Sequence, residues 1–172
     1  MTRLPTLPPR ATRPADRRSG ARAGRPPVHT GGGLLREAMS AQDLRALREA
    51  QLNRALQHLD ASGTTVRVGC YALVGPGGDP GVRLRETRAL ANRLGWAPGP
   101  RLVTYDSTGM TDPLIRPQLA RLLAAIGRED IHGIVTVSRT DITDFPTAYL
   151  DVLAAVQARG GFLALARDET GL

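Results

Sequence analysis

Val66-Arg67-Val68-Gly69-Cys70-Tyr71-Ala72-Leu73-Val74 is an almost wholly apolar run, closed by Gly75-Pro76-Gly77-Gly78. A run of this length bounded by turn residues reads as a strand buried on both faces. Three more runs of strand length follow: Leu102-Val103-Thr104-Tyr105, Ile131 to Val137 and Phe162 to Ala166. Their starts are spaced by 36, 29 and 31 residues, close to the ~30 of a βαβ unit. Helical patterns fill the gaps. Pro117 stands at a first-turn position, Leu119, Leu122, Leu123 and Ile126 repeat at i, i+3, i+4, i+7, and Gly127 supplies a stop. Tyr149, Val152, Leu153 and Val156 repeat that spacing before Gly160-Gly161, and Leu90 and Leu94 share a face before Gly95. Strands alternating with helices predict a doubly wound α/β domain of about four parallel strands, with helices on both faces.

Upstream, Ser40-Ala41-Gln42-Asp43 has the form of a capping box, and Leu44, Leu47, Leu52, Ala55, Leu56 and Leu59 follow at mostly helical spacing. This predicts an amphipathic helix from about 41 to 59, within a segment 34–63 that precedes the domain at 64–172. The apolar stripe must pack on that domain or on a second copy of itself. Residues 1–33 hold six prolines and close with Gly31-Gly32-Gly33. Such a segment is predicted to be disordered, because it cannot bury enough apolar surface to offset the entropy of ordering. Met39, just before the helix, is a second candidate translation start.

The formal charge of +7 is concentrated in the tail, where residues 1–30 carry seven arginines against Asp16 alone. The remainder has 16 arginines against 15 acids, and the chain contains no lysine. Exclusive arginine reflects a coding bias, so arginine content by itself argues little for phosphate binding. The tail is either a solvated extension or an electrostatic DNA tether, with Arg17 and Arg18 as phosphate contacts.

Several classes are excluded. No stretch approaches the ~18 apolar residues of a spanning helix, and the N-terminus has no signal-peptide h-region. The single cysteine, Cys70, forms no intramolecular disulfide, which points to the reducing cytoplasm. With only His29, His58 and His132 beside it, no zinc cluster is expected, and no cofactor either. Neither G-x-S-x-G nor H-E-x-x-H occurs. Six aromatic residues are too few for base-stacking platforms. The Gly75 to Gly81 loop has a phosphate-loop flavour, but its glycines miss the G-x-G-x-x-G spacing and Pro76 and Pro80 remove N–H donors.

Function in open α/β sheets sits at the carboxyl ends of the strands. Glu129-Asp130 and the pair Asp141 and Asp144 are candidate acid/base carboxylates, with turn and cap roles as the plainer assignment. Asp130 suits a turn, and Thr143 or Asp144 suits the cap of the helix after Pro146.

Val68-Gly69-Cys70-Tyr71-Ala72-Leu73-Val74-Gly75, Leu94-Gly95-Trp96, Tyr105-Asp106-Ser107-Thr108-Gly109, Arg116-Pro117-Gln118-Leu119-Ala120-Arg121-Leu122-Leu123 and Ile131-His132-Gly133-Ile134-Val135 together resemble the catalytic domain of the serine recombinases, the resolvase/invertase family. The resemblance covers residues 66–166 and implies a resolvase-like fold and DNA strand exchange. It also implies a Tyr-x-Arg-Val-Ser ending to the first strand, whose serine attacks the scissile phosphodiester and forms a covalent phosphoserine link. Because the transition state is highly anionic, arginines surround that serine. Here Leu73 takes the arginine's place and Gly75 the nucleophile's. The family's Asp-Arg-x-x-Arg falls on Thr140-Asp141-Ile142-Thr143-Asp144; one shift restores Asp141 and another Arg139, but none the whole motif. Arg116 keeps its type and place, as a phosphate contact or as the partner of a carboxylate such as Asp112. Ser107 and Ser138 are the nearby replacement hydroxyls.

A full-length member continues into an edge strand, a dimerisation helix and a DNA-reading module, whereas this sequence stops at Leu172. The expectation is a recombinase-type domain unable to cut DNA, with at most non-specific DNA binding through Arg116, Arg139, Arg17 and Arg18. One alternative is an interaction module in which the 41–59 helix forms a homodimer or caps a partner recombinase. A second is nucleotide binding at Gly75–Gly81.

Overall fold

A computed structural model describes residues 39–107 and 109–169. The tail reading, with Arg17 and Arg18, lies outside the described residues. Helix α1 (Ala41–Ala61) is followed by β1 (Arg67–Val74), α2 (Pro80–Arg93), β2 (Ala97–Ser107), α3 (Pro117–Gly127), β3 (Gly133–Thr136), α4 (Pro146–Gln157) and β4 (Phe162–Leu165), with short 3-10 turns at Pro113–Ile115 and Arg139–Asp141. The strands form one sheet in the order β2-β1-β3-β4, every pair parallel. The expected α/β architecture is therefore present. Among the described residues no helix is long and apolar enough to cross a membrane.

Strand alternation sorts side chains between two layers. Tyr71, Ile134 and Leu163 join Leu119, Leu122 and Ile126 of α3 and Tyr149, Val152 and Leu153 of α4 in one core. Val68, Val135 and Phe162 join Leu90 and Ala91 of α2 in the other, where Trp96 packs tilted on Phe162 at 5.1 Å between centroids. Leu52, Ala55, Leu56 and Leu59 of α1 are half-buried against this second core. The apolar stripe of α1 thus packs on its own domain, one of the two options left open above. The interaction alternative loses that face to the fold.

Helix α1 is also tied down by polar contacts. The Ser40–Asp43 capping box is formed as expected. Arg48, only 5% exposed along its side chain, donates from Nε and Nη2 to the two oxygens of fully buried Glu169, at 2.6 and 3.0 Å. The Tyr149 hydroxyl donates to the same carboxylate at 2.9 Å.

Local details depart from the sequence reading. The second strand starts at Ala97 rather than Leu102; Pro98 and Pro100 are tolerated because β2 is an edge strand with an irregular register against β1. Leu94 lies beyond the end of α2 and is 47% exposed, so Thr87, Leu90 and Ala91 form the buried face instead. Gly127 is the last residue of α3, and the left-handed position falls on Glu129, at φ 61°. Neither Thr143 nor Asp144 caps α4: its N-cap is Phe145, whose N–H is taken by Thr143 Oγ1 at 3.2 Å. Asp130 does sit in a turn, paired with Arg128 at 2.9 Å.

Candidate functional site

In a sheet ordered β2-β1-β3-β4, the chain reverses direction of travel between β1 and β3, and the crevice beyond their carboxyl ends is the expected site. The loops after β1, β2 and β3 meet there around a cleft of about 210 Å3 lined by Leu73, Met110, Arg116, Thr140, Thr143, Asp144 and Phe145. Four residues singled out from sequence, Leu73, Arg116, Thr140 and Asp144, are thereby brought together. Met110 and Phe145 were not foreseen; they are 45% and 63% exposed and make the cleft largely apolar.

Gly75 lies exposed on the loop after β1, and a Cβ placed on it meets nothing within 4 Å. Beyond it the loop turns through a Gly78 N–H to Gly75 carbonyl bond of 3.0 Å. Asp79 then caps α2 by accepting from Gly81 N–H at 2.7 Å. A carboxylate thus stands at this helix start, Gly78 and Gly81 N–H are engaged, and Pro80 has none. The loop is thus a turn followed by a helix cap.

Arg116 is 5% exposed. Its Nε donates to the Met110 carbonyl at 3.0 Å, and Nη1 to the Ile142 and Asp141 carbonyls at 2.6 and 3.3 Å. It therefore ties the loop after β2 to the loop after β3. The expected pairing with Asp112 is not made, because Asp112 caps the turn at Pro113–Ile115 through Leu114 N–H.

The N-terminus of α3 lacks a side-chain cap from Arg116. Asp106, at the end of β2, supplies one from a distance by accepting from Gln118 and Leu119 N–H at 3.1 Å. The Tyr71 hydroxyl donates to the same carboxylate at 3.2 Å. Burial, and then the Asp106 charge, push the Tyr71 hydroxyl well above the usual phenol range. It stays protonated and acts as a donor.

Asp141 is fully buried behind the cleft rather than on its wall. It accepts from Leu73 N–H at 3.1 Å, from Ser138 N–H at 2.9 Å, and from Arg83 through Nε and Nη2, both at 2.8 Å. The acid thus joins β1, the loop after β3 and α2. Ser138 completes a capping box with it, and the guanidinium that bonds Ser138 Oγ, that of Arg83 at 3.4 Å, is already forked on Asp141. Ser107 is exposed in an adjoining depression that includes Asp106 and Arg116. Arg139 is half-buried, with its Nε left without a hydrogen-bond partner. Among the described residues no three His, Cys, Asp or Glu side chains are gathered as a metal site. Sequence reasoning missed Arg83, Asp106 and the role of Tyr71, since each acts on a partner far along the chain.

No family profile matches the sequence, and none of the curated proteins resembles it at a significant level. Solved structures do. The N-terminal catalytic domain of TP901-1 integrase aligns with a TM-score of 0.50 at 16% identity, over 58% of this chain and 76% of that one. The C-terminal catalytic domain of ISC1926 TnpA, an IS607-like serine recombinase, aligns with a TM-score of 0.52 at 14% identity, over 61% of this chain and 73% of that one. At such identities the likeness concerns the backbone. The chain is structurally similar to serine recombinase catalytic domains and has their resolvase-like fold.

Proposed function

We propose that this chain is a recombinase-type domain that holds DNA without sequence preference and does not cut it. The observation that carries the reading is Gly75 at the carboxyl end of β1. Attack on a phosphodiester by this family's route needs a side-chain oxygen there, and glycine has none. Leu73, two residues earlier, offers no charge to the anionic transition state. The motif after β3 supports the same reading in every register. Laid on Thr140, it puts Asp141 and Asp144 where arginines belong. Laid on Asp141, whose buried anchoring role suits the motif's acid, it puts Ile142 and Phe145 there. Laid on Ser138, it keeps Arg139 but leaves Ile142 in the second place.

Arg116 holds carbonyls and has little left for a phosphate. DNA contact therefore falls mainly to Arg17 and Arg18 of the tail, with Arg139 of the turn after β3 as a further candidate. Such binding is electrostatic, so log K falls with log salt by about 0.9 for each phosphate neutralised. Fluorescence anisotropy of a labelled duplex, titrated with the full chain at several salt concentrations, tests it. The expected result is binding at low salt that disappears as salt rises, with equal affinity for unrelated sequences. No binding at low salt, or binding indifferent to salt, removes the DNA part of the proposal.

A further inference from the structure

The opposite end of the sheet, where the strands begin, carries a groove. Two recesses of about 420 Å3 each adjoin there between α1, the end of α4 and the start of β3, sharing His58, Leu59, His132 and Gly160. Each falls within the roughly 300–1,000 Å3 of small-ligand pockets. Arg54 enters the groove from α1, Arg67 from the start of β1 and Arg159 from the loop after α4, with Glu129 the one carboxylate among the described lining residues.

Cations beside helix C-termini are ordinarily accounted for by the helix's own free carbonyls. At the end of α1 those carbonyls have backbone partners. Ser62, Gly63 and Thr64 N–H donate to the carbonyls of His58, Asp60 and Leu59 at 3.2, 2.9 and 3.0 Å. Arg159 donates one Nη1 bond to the Ala155 carbonyl and Arg67 one Nη2 bond to the Glu129 carbonyl, each at 2.7 Å, leaving the rest of each fork unassigned. Arg54 makes no hydrogen bond or ion pair among the described residues.

The neutral lining groups are also directional. His132 Nδ1 accepts from Arg67 N–H at 3.1 Å, which requires a neutral ring with its proton on Nε2, a donor. Burial and then the Arg67 charge push His132 below its ordinary value and keep it neutral at pH 7. Gln51, on the groove wall and only 7% exposed, donates to Gln157 Oε1 at 2.9 Å while its own Oε1 is buried without a donor. Rotating both amides moves the deficit to an NH2 group without removing it, and an unpaired buried polar group is costly.

We infer that this groove binds a small organic phosphate of nucleoside-monophosphate size, its phosphate among Arg54, Arg67 and Arg159 and an N–H or O–H of its body toward Gln51. Guanidiniums reaching the groove from three elements, Arg67 and Arg159 in one recess and Arg54 in the adjoining one, suit a tetrahedral phosphate better than a carboxylate, which a single fork satisfies. The site lies at the other end of the sheet from the cleft, so it does not depend on the DNA reading.

Thermal unfolding of the full chain tests it, with adenosine monophosphate, uridine monophosphate, ribose 5-phosphate and inorganic phosphate as probes. A nucleoside monophosphate is expected to raise the midpoint by about 5 °C near saturation, since a ligand bound only by the folded state stabilises it. Arg54→Gln is expected to weaken binding about tenfold, the loss of a charge-assisted contact. Gln51→Met is expected to unfold at or above the wild-type midpoint without ligand and to show a smaller nucleotide shift. The inference is overturned if no organic phosphate exceeds inorganic phosphate, or if Arg54→Gln binds as tightly as wild type.

Discussion

Removing the Glu169 carboxylate is expected to loosen α1 and destabilise the whole domain. In wild type, Arg48 lies buried on that carboxylate through two bonds of 2.6 and 3.0 Å, with Tyr149 O–H at 2.9 Å as a third donor. Glu169→Ala strands a buried guanidinium and a buried hydroxyl, and breaking a buried pair from one side costs about 3–5 kcal/mol. Against a total stability of about 5–15 kcal/mol that is a large loss. With a urea slope of about 2 kcal/mol/M, the midpoint should fall by roughly 1.5–2.5 M. The double variant Arg48→Met, Glu169→Leu should recover most of it, because paired apolar replacement is often neutral. Urea unfolding followed by circular dichroism measures both. A drop below about 0.5 M for Glu169→Ala, or a double variant no better than the single, would show the reasoning wrong. Acid gives a second arm. Burial alone would raise Glu169, but the hydrogen bond and charge of Arg48, and then Tyr149, hold it below the usual carboxylate value. With its folded value depressed, its contribution is complete above the unfolded value of about 4.3 and lost as pH falls through the folded one. Wild type should therefore lose more stability below pH ~4 than Glu169→Ala does.

Other expectations follow from single residues. Glu129 is exposed at φ 61°, so Glu129→Gly should stabilise by about 0.5–1 kcal/mol in urea unfolding, and a loss would show that the residue is not strained. A Cβ on Gly133 would run into the Phe162 ring; Gly133→Ala should cost about 1–3 kcal/mol or more, and a neutral outcome would contradict the packing. His132 is depressed below its ordinary value, so the stability it contributes is present above about pH 6.5 and lost as pH falls through the folded value. Its NMR titration midpoint should lie below 6.5, and a midpoint above it would contradict the Arg67 N–H bond.

The architecture was legible because it rests on short-range pattern. Leu119, Leu122, Leu123 and Ile126 repeat on one helical face, and all four are buried. The apolar run ending at Val74 became β1, one of the two inner strands. What escaped were partnerships that pattern does not encode. Asp106 caps a helix 12 residues on, Asp141 holds Leu73 and Arg83 across 68 and 58 residues, and Arg48 meets Glu169 across 121. The pull of a carbonyl cluster on Arg116 was invisible for a related reason. Every residue carries a carbonyl, so composition gives no sign of where three will converge. Leu94 and Gly127 show the same limit at element ends, where one residue decides between burial and exposure.

The central claim is that no side chain of this protein captures a DNA phosphate covalently. Incubating the full chain with supercoiled plasmid, quenching in denaturant and examining the DNA for attached protein measures this directly, with a Gly75→Ser, Leu73→Arg variant alongside. Wild type should leave the plasmid uncut and free of protein. Protein covalently attached to plasmid ends in the wild-type reaction would contradict the claim.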